Sequence, residues 1–146
     1  MIRCYVFDID GTVANCDHRL HHIQKDPKDW KGFYADTHKD EPILNLVRLI
    51  KDLIRVPGVE IVYATGRGEE SRKATVDWLD RNVYVGPLFM RPANDYRQDS
   101  IVKIEMLQAI REAGYEPVLW FEDRKQCVDA LRAAGVNVMQ VAEGNF

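Results

Sequence analysis

Two hydrophobic patterns alternate along the chain: short continuous apolar runs, and longer stretches with apolar residues three and four apart. The first run, Tyr5-Val6-Phe7 with Ile9, is aromatic and β-branched, which suits a strand covered on both faces. Similar runs at residues 59–64, 85–90, 117–121 and 136–141 predict four more strands. Between them the helical period takes over. Ile43, Leu46, Val47, Ile50, Leu53 and Ile54 form a stripe that predicts a helix opened by Pro42 and stopped at Pro57-Gly58. A second helix is expected over residues 69–82, with an acidic first turn and Ala74, Trp78 and Leu79 facing inward. Asp99-Ser100 supplies N-cap chemistry for a third helix running to Ala113 and closed by Gly114. A fourth carries Val128 and Leu131 and stops at Gly135. Strands alternating with helices of this length predict right-handed βαβ units, that is, an α/β fold with a parallel sheet of about five strands and helices on both faces.

Residues 13–41 break this rhythm, with no long apolar run, and are expected to form a small cap or insert within a single domain. His18, His21 and His22 would share one face of a short helix; such a trio is either a transition-metal site or a set of solvated and locally packed rings. Trp30, Phe33 and Tyr34 have the same spacing. They either anchor the segment to the core or present an aromatic ring beside the site for stacking on a nucleobase.

The composition is that of a globular protein: 146 residues, 46% hydrophobic, 29% charged and a net charge of −3. That balance argues against a broad nucleic-acid-binding face, though Arg67, Arg72, Lys73, Arg91 and Arg97 can build a local basic patch. The three cysteines, Cys4, Cys16 and Cys127, are odd in number and lack metal-site spacing, so reduced thiols in a cytoplasmic protein are expected. Met1 runs directly into the first apolar run, no signal peptide is expected, and no stretch is apolar for long enough to span a bilayer.

Candidate chemistry collects where strands end. Asp8 and Asp10 follow the first strand, Thr65 and Arg67 the second, Arg91 the third, and Glu122 and Asp123 the fourth. A parallel sheet brings all these ends to one edge. Asp8-Ile9-Asp10-Gly11 on its own also fits a hairpin turn, but converging carboxylates, a hydroxyl and cations are what phosphoryl transfer requires. Carboxylates can hold Mg²⁺, and arginines with backbone amides can hold phosphate oxygens.

The motifs resemble the haloacid dehalogenase (HAD) superfamily of aspartate-nucleophile phosphohydrolases. Asp8-Ile9-Asp10-Gly11-Thr12 matches the first motif, Thr65 the hydroxyl of the second, Lys103 the lysine of the third, and Glu122-Asp123 the acidic fourth. More narrowly, VFDIDGT, ATGR, LFMRP, DSIVK, EDR and VMQVAEGNF resemble the phosphatase domain of phage polynucleotide kinase/3′-phosphatase over nearly the whole chain. Glu122 departs from that family's usual Asp, and no G-x-x-x-x-G-K-[ST] phosphate loop of a kinase occurs.

The resemblance implies a Rossmann-like HAD fold and a Mg²⁺-dependent phosphomonoesterase. In this reading Asp8 attacks phosphorus and Asp10 acts as acid and then base. Thr65 and Lys103 stabilise the phosphoryl group, while Gly66, Arg67, Arg91 and Arg124 contact the substrate. The metal ligands would be Asp8, the Asp10 carbonyl, and Asp123 alone or with Glu122. The implied substrate is a 3′-phosphorylated polynucleotide or nucleotide end. A phosphatase of free nucleoside monophosphates and a non-catalytic phosphate-binding module are the alternatives.

Overall fold

The computed structural model describes all 146 residues. Five strands form one parallel sheet: β1 (Ile2–Phe7), β4 (Glu60–Gly68), β5 (Leu88–Arg91), β6 (Tyr115–Arg124) and β7 (Val138–Gly144), in the order β5-β4-β1-β6-β7. Two further two-residue strands, β2 (Ala14–Asn15) and β3 (Glu41–Pro42), pair antiparallel and close off the insert. Alternation along the central strands sorts the core into two layers. Cys4, Val6, Val62, Ala64 and Trp120 pack on one face against α4 (Asp99–Glu112) and α5 (Lys125–Ala133), through Val102, Met106, Leu107, Ile110, Val128 and Leu131. Phe7, Ile61, Tyr63 and Phe121 face the other way, onto Ile50 of α2 (Leu44–Leu53) and Trp78 and Leu79 of α3 (Arg72–Asn82). The Phe7 and Phe121 rings stack at 4.4 Å between centroids, locking β1 to β6 next to the acidic strand ends.

The expected α/β fold with helices on both faces is therefore present, with differences at element ends. Pro42 lies in β3 opposite Ala14, where its missing N–H is tolerated on a two-strand ribbon, so α2 starts at Leu44. The third sheet strand begins at Leu88 rather than Val85. Pro87 has no N–H to give to the ladder, and its carbonyl accepts from Tyr63 N at 2.8 Å. Residues 69–82 start as a single 3₁₀ turn, Glu69–Ser71, before α3. Asp99 does not cap α4; the N-cap is Gln98, and the Asp99 carboxylate is turned elsewhere.

The 13–41 segment holds a 3₁₀ helix (Asp17–His22) and α1 (Trp30–Ala35), with a small apolar cluster of Cys16, Ile23 and Phe33. Asp29 caps α1, its carboxylate accepting from Gly32 N at 2.9 Å. No helix is long and apolar enough to cross a membrane.

Candidate active site

β1 delivers its carboxylates into a tightly wound loop. The Ile9 carbonyl accepts from the amides of Thr12, Val13 and Ala14 at 3.0–3.1 Å, and Gly11 sits at φ +82°. A side chain at Gly11 would be strained, and its Cβ would lie 2.1 Å from Asp123 Oδ2, so only glycine lets the loop approach the β6 acids. The ladder is broken beside the site on both flanks, between Thr65 and Gly68 of β4 and between Glu122 and Arg124 of β6. Such bulges re-aim strand-end side chains.

The result is two charge clusters side by side. In the first, Lys103 Nζ, fully buried on α4, donates to Asp8 Oδ1 at 2.9 Å and to Glu122 Oε2 at 2.5 Å. The other Glu122 oxygen accepts from Arg124 N at 3.3 Å. Ligand atoms of Asp8, Glu122 and Asp123 all lie within 4.8 Å of one another. Burial and then mutual repulsion raise all three carboxyl groups: Asp8 well above its ordinary value, chiefly by desolvation and Glu122, and Asp123 to about 8, by desolvation and then Asp8. Burial alone would lower the Lys103 pKa, but Asp8, Glu122 and Asp99 outweigh it and hold the ammonium well above its usual range.

Three oxygen-donor carboxylates against one lysine leave an excess of buried negative charge. A hard divalent cation relieves that imbalance, and the donor set suits one, so this cluster can hold a metal ion. The Asp10 carboxylate is not part of it.

Asp10 belongs instead to the second cluster. Burial would raise its pKa, but Arg67 and Arg19 outweigh that and hold it below the usual carboxylate range. Arg67 donates to it from Nη2 at 2.6 Å and Nε at 3.2 Å, and Arg19 from Nη2 at 2.9 Å. Arg67 was expected to contact substrate. It is 1% exposed, and its remaining donors go to Thr75 Oγ1 and Asp40 Oδ2. The guanidinium is thus enclosed by two carboxylates and a hydroxyl.

A cavity of about 740 Å³ opens over both clusters and is lined by Asp8, Asp10, Thr65, Gly66, Asp123 and Arg124, among others. Thr65 Oγ1 accepts from Arg67 N at 3.1 Å. Arg91 lines the cavity too, but its donors are taken by the carbonyls of Gly66, Asp95 and Arg97 and by Asp99 Oδ1, so it braces the 92–98 loop. Arg124 donates to the Phe146 carbonyl at 2.7 Å, its guanidinium 4.8 Å from that residue's ring centroid.

Of the two readings of the aromatic trio, Phe33 is buried as an anchor, whereas Trp30 is 38% exposed and lines the cavity with Tyr34. Among the histidines, His18 Nε2 meets Asp40 Oδ1 at 2.7 Å, His21 and His22 lie with tilted rings 4.0 Å apart, and His22 Nδ1 is 3.5 Å from Asp29 Oδ2, so the three rings turn to different partners. The five cations considered for a basic patch are paired locally: Arg72 with Glu69, Lys73 with Asp77, Arg97 with Asp95 and Glu105, and Arg67 and Arg91 as described.

Three site residues escape the sequence reading. Arg19 and Asp40 come from the polar insert, where no periodicity marks them. Asp99 was hidden by its N-cap grammar. Its carboxylate lies between Arg91, Arg124 and Lys103 at 3.3–4.0 Å and accepts from Cys127 Sγ at 3.2 Å.

The family model for the polynucleotide kinase PNKP phosphatase domain matches residues 2–146. A protein of Autographa californica nuclear polyhedrosis virus described as a bifunctional polynucleotide kinase/RNA ligase is 26% identical over 124 residues, 84% of this chain and 17% of that protein. The solved Pnkp1/Rnl/Hen1 complex contains a chain 25% identical, with TM-score 0.82, covering 100% of this chain and 47% of that one. The present chain thus spans less than half the length of these relatives. A haloacid dehalogenase-like hydrolase of Streptococcus pneumoniae, 11% identical with TM-score 0.66, covers 94% of this chain and 83% of its own, and shares the fold. With the strand-end carboxylates, the parallel sheet and a match over residues 2–146, the chain belongs to the polynucleotide kinase PNKP phosphatase domain family of HAD hydrolases.

Proposed function

We propose that the chain is a Mg²⁺-dependent phosphomonoesterase that removes the 3′-phosphate from a polynucleotide or nucleotide end through an aspartyl-phosphate. The observation that carries this reading is the placement of Asp8 and Asp10 in separate charge environments at one cavity: Asp8 against Lys103 and the β6 acids, Asp10 against two arginines. Two carboxylates with such different partners at one cavity can take different roles in one reaction.

Asp8 attacks phosphorus, and the ester oxygen leaves with a proton from Asp10. Water then attacks the aspartyl-phosphate while Asp10, now ionised, takes back one proton. Asp8 is regenerated, phosphate departs, and Asp10 is again protonated for the next turnover. Arg19 and Arg67 favour the base form, which serves the second step. Lys103 neutralises Asp8 as the phosphate approaches, and Thr65 and Gly66 form the floor on which the phosphoryl oxygens rest. A bound Mg²⁺ would supply charge to the phosphoryl oxygens and lower the barrier to their approach to Asp8. Because both Glu122 oxygens are engaged by Lys103 and Arg124 N, Asp123 is the β6 carboxylate left to hold that ion beside Asp8, with the Asp10 carbonyl. Arg91 and Arg124 edge the cavity where the rest of the substrate enters.

The local pairing of Arg72, Lys73 and Arg97 favours a second reading, in which a lone nucleotide suffices and no strand is tracked. Phosphate release is measured from a 3′-phosphorylated oligonucleotide, its 5′-phosphorylated counterpart and 3′- and 5′-mononucleotides at several salt concentrations. The 3′-phosphorylated ends are expected to turn over fastest. Preference for 5′-phosphates would overturn the reading. Equal rates on oligonucleotide and mononucleotide, independent of salt, would select the second.

A further inference from the structure

Asp40 is the last residue of the insert before β3, and its carboxylate is fully buried outside the cavity lining. Four side-chain donor contacts converge on it. Arg19 Nε and His18 Nε2 meet Oδ1 at 2.7 Å, and Arg19 Nη2 and Arg67 Nη2 meet Oδ2 at 2.5 and 3.2 Å. The same two Nη2 atoms also donate to Asp10 Oδ1, at 2.9 and 2.6 Å. Two guanidinium nitrogens are thus each shared between one oxygen of Asp40 and one of Asp10, closing a four-cornered ring. Asp10 Oδ2 is left with a single contact, to Arg67 Nε at 3.3 Å. The ring is tethered to the domain, since the Asp40 carbonyl accepts from Trp78 Nε1 at 2.9 Å and Arg67 Nη1 donates to Thr75 Oγ1, both on α3.

We propose that Asp40 is a positioning residue for the proton-transferring carboxylate Asp10, acting through Arg19 and Arg67. This rests on the reading above, in which Asp10 gives the leaving oxygen its proton. By holding both arginines from behind, Asp40 fixes the rotation of the Asp10 carboxylate and keeps Oδ2 open to the substrate. It also makes the insert part of the catalytic apparatus: Arg19 and Asp40 both come from residues 13–41, while Asp10 lies in the loop after β1 and Arg67 in β4. A plain buried salt-bridge network would serve stability alone.

Leaving-group dependence separates the two roles. An alkoxide needs a proton as it departs, whereas p-nitrophenolate scarcely does. The specificity constant kcat/KM covers steps only through formation of the aspartyl-phosphate, so it reads this difference without interference from the later hydrolysis. Wild type, Asp10→Asn, Asp40→Asn and the double variant are compared on a nucleoside 3′-phosphate and on p-nitrophenyl phosphate. A misplaced acid is expected to cost Asp40→Asn roughly 10- to 100-fold on the nucleotide and several-fold less on the aryl ester. In the Asp10→Asn background the same substitution should cost no more than about twofold, because its target is gone.

Equal losses on both substrates, or a full loss that persists without Asp10, would overturn the positioning role. If Asp10→Asn itself fails to discriminate the two esters, the acid role of Asp10 is wrong and the proposal falls with it. Should Asp40→Asn not fold, Asp40→Glu keeps the charge and moves the carboxylate by one methylene. It should show the same leaving-group-selective loss, and full activity on both esters would refute the proposal.

Discussion

Lys103 Nζ lies 2.9 Å from Asp8 Oδ1, although 95 residues separate the two in sequence. The contact joins α4 to the end of β1 and continues to Glu122 at the end of β6, so one buried ammonium ties together three elements. Removing it leaves two buried carboxyl groups without the donor and positive charge they share. Lys103→Met is expected to lower stability by about 3–5 kcal/mol and to reduce turnover below detection. Urea denaturation with phosphatase assays on the folded fraction checks both. Wild-type stability in the variant would mean that the contacts of Lys103 with Asp8 and Glu122 contribute nothing to the fold.

The raised carboxyl groups make the metal-free protein sensitive to pH. Asp123 titrates near 8 in the fold against an ordinary value of 3.8, and Asp8 and Glu122 shift in the same direction. Between about pH 4 and 8 the folded state therefore holds protons that the unfolded chain has released, and stability falls as pH rises through that window. Asp10 and Asp99 shift the opposite way, so their contributions are lost only in stronger acid and do not offset the decline. Urea melts in EDTA at pH 5 and pH 8 should show the higher midpoint at pH 5. Asp123→Asn should flatten the difference, and saturating Mg²⁺ should shrink it.

Much of this was legible in the chain because it is local. The runs at Tyr5-Val6-Phe7 and Leu119-Trp120-Phe121 specify doubly covered strands by hydrophobicity alone, and parallel order follows from the helices between them. Once the strands are known, the acids after them must meet at one edge. Arg19 and Asp40 were not legible, because a buried ion pair between an insert and a strand end leaves no periodicity. Asp99 misled for another reason. Asp-Ser is good N-cap grammar, and the competing demand, a carboxylate among Arg91, Arg124 and Lys103, exists only after folding. Arg67 reads as a phosphate ligand from its place after Thr65-Gly66, and its buried contact with Asp10 was not legible because it forms only when the two strand ends meet.

Gly66 is packed so closely that an added Cβ would lie 2.4 Å from Asp99 Oδ1. Gly66→Ala should push Asp99 away from Arg91 and Arg124 and lower kcat/KM by on the order of tenfold, with little change in melting temperature. Activity at the wild-type level would show that Asp99 moves aside at no cost to the site.

Trp30 is half-exposed at the cavity, close to Tyr34 with ring centroids 6.1 Å apart. Base–aromatic stacking contributes about 1–3 kcal/mol. Trp30→Ala should accordingly raise KM roughly tenfold or more for nucleotide substrates and leave an aryl phosphate nearly unchanged. Equal changes on both would reduce Trp30 to packing.

Covalent capture of phosphate on Asp8 decides the chemistry. The enzyme is mixed in a single turnover with an oligonucleotide radiolabelled in its 3′-phosphate, quenched in acid and digested. Label is expected on the peptide containing Asp8, to appear and decay within the turnover, and to be absent from Asp8→Asn, which should be inactive. Wild-type turnover by Asp8→Asn, or label on any other residue, would contradict the assignment of Asp8 as the nucleophile.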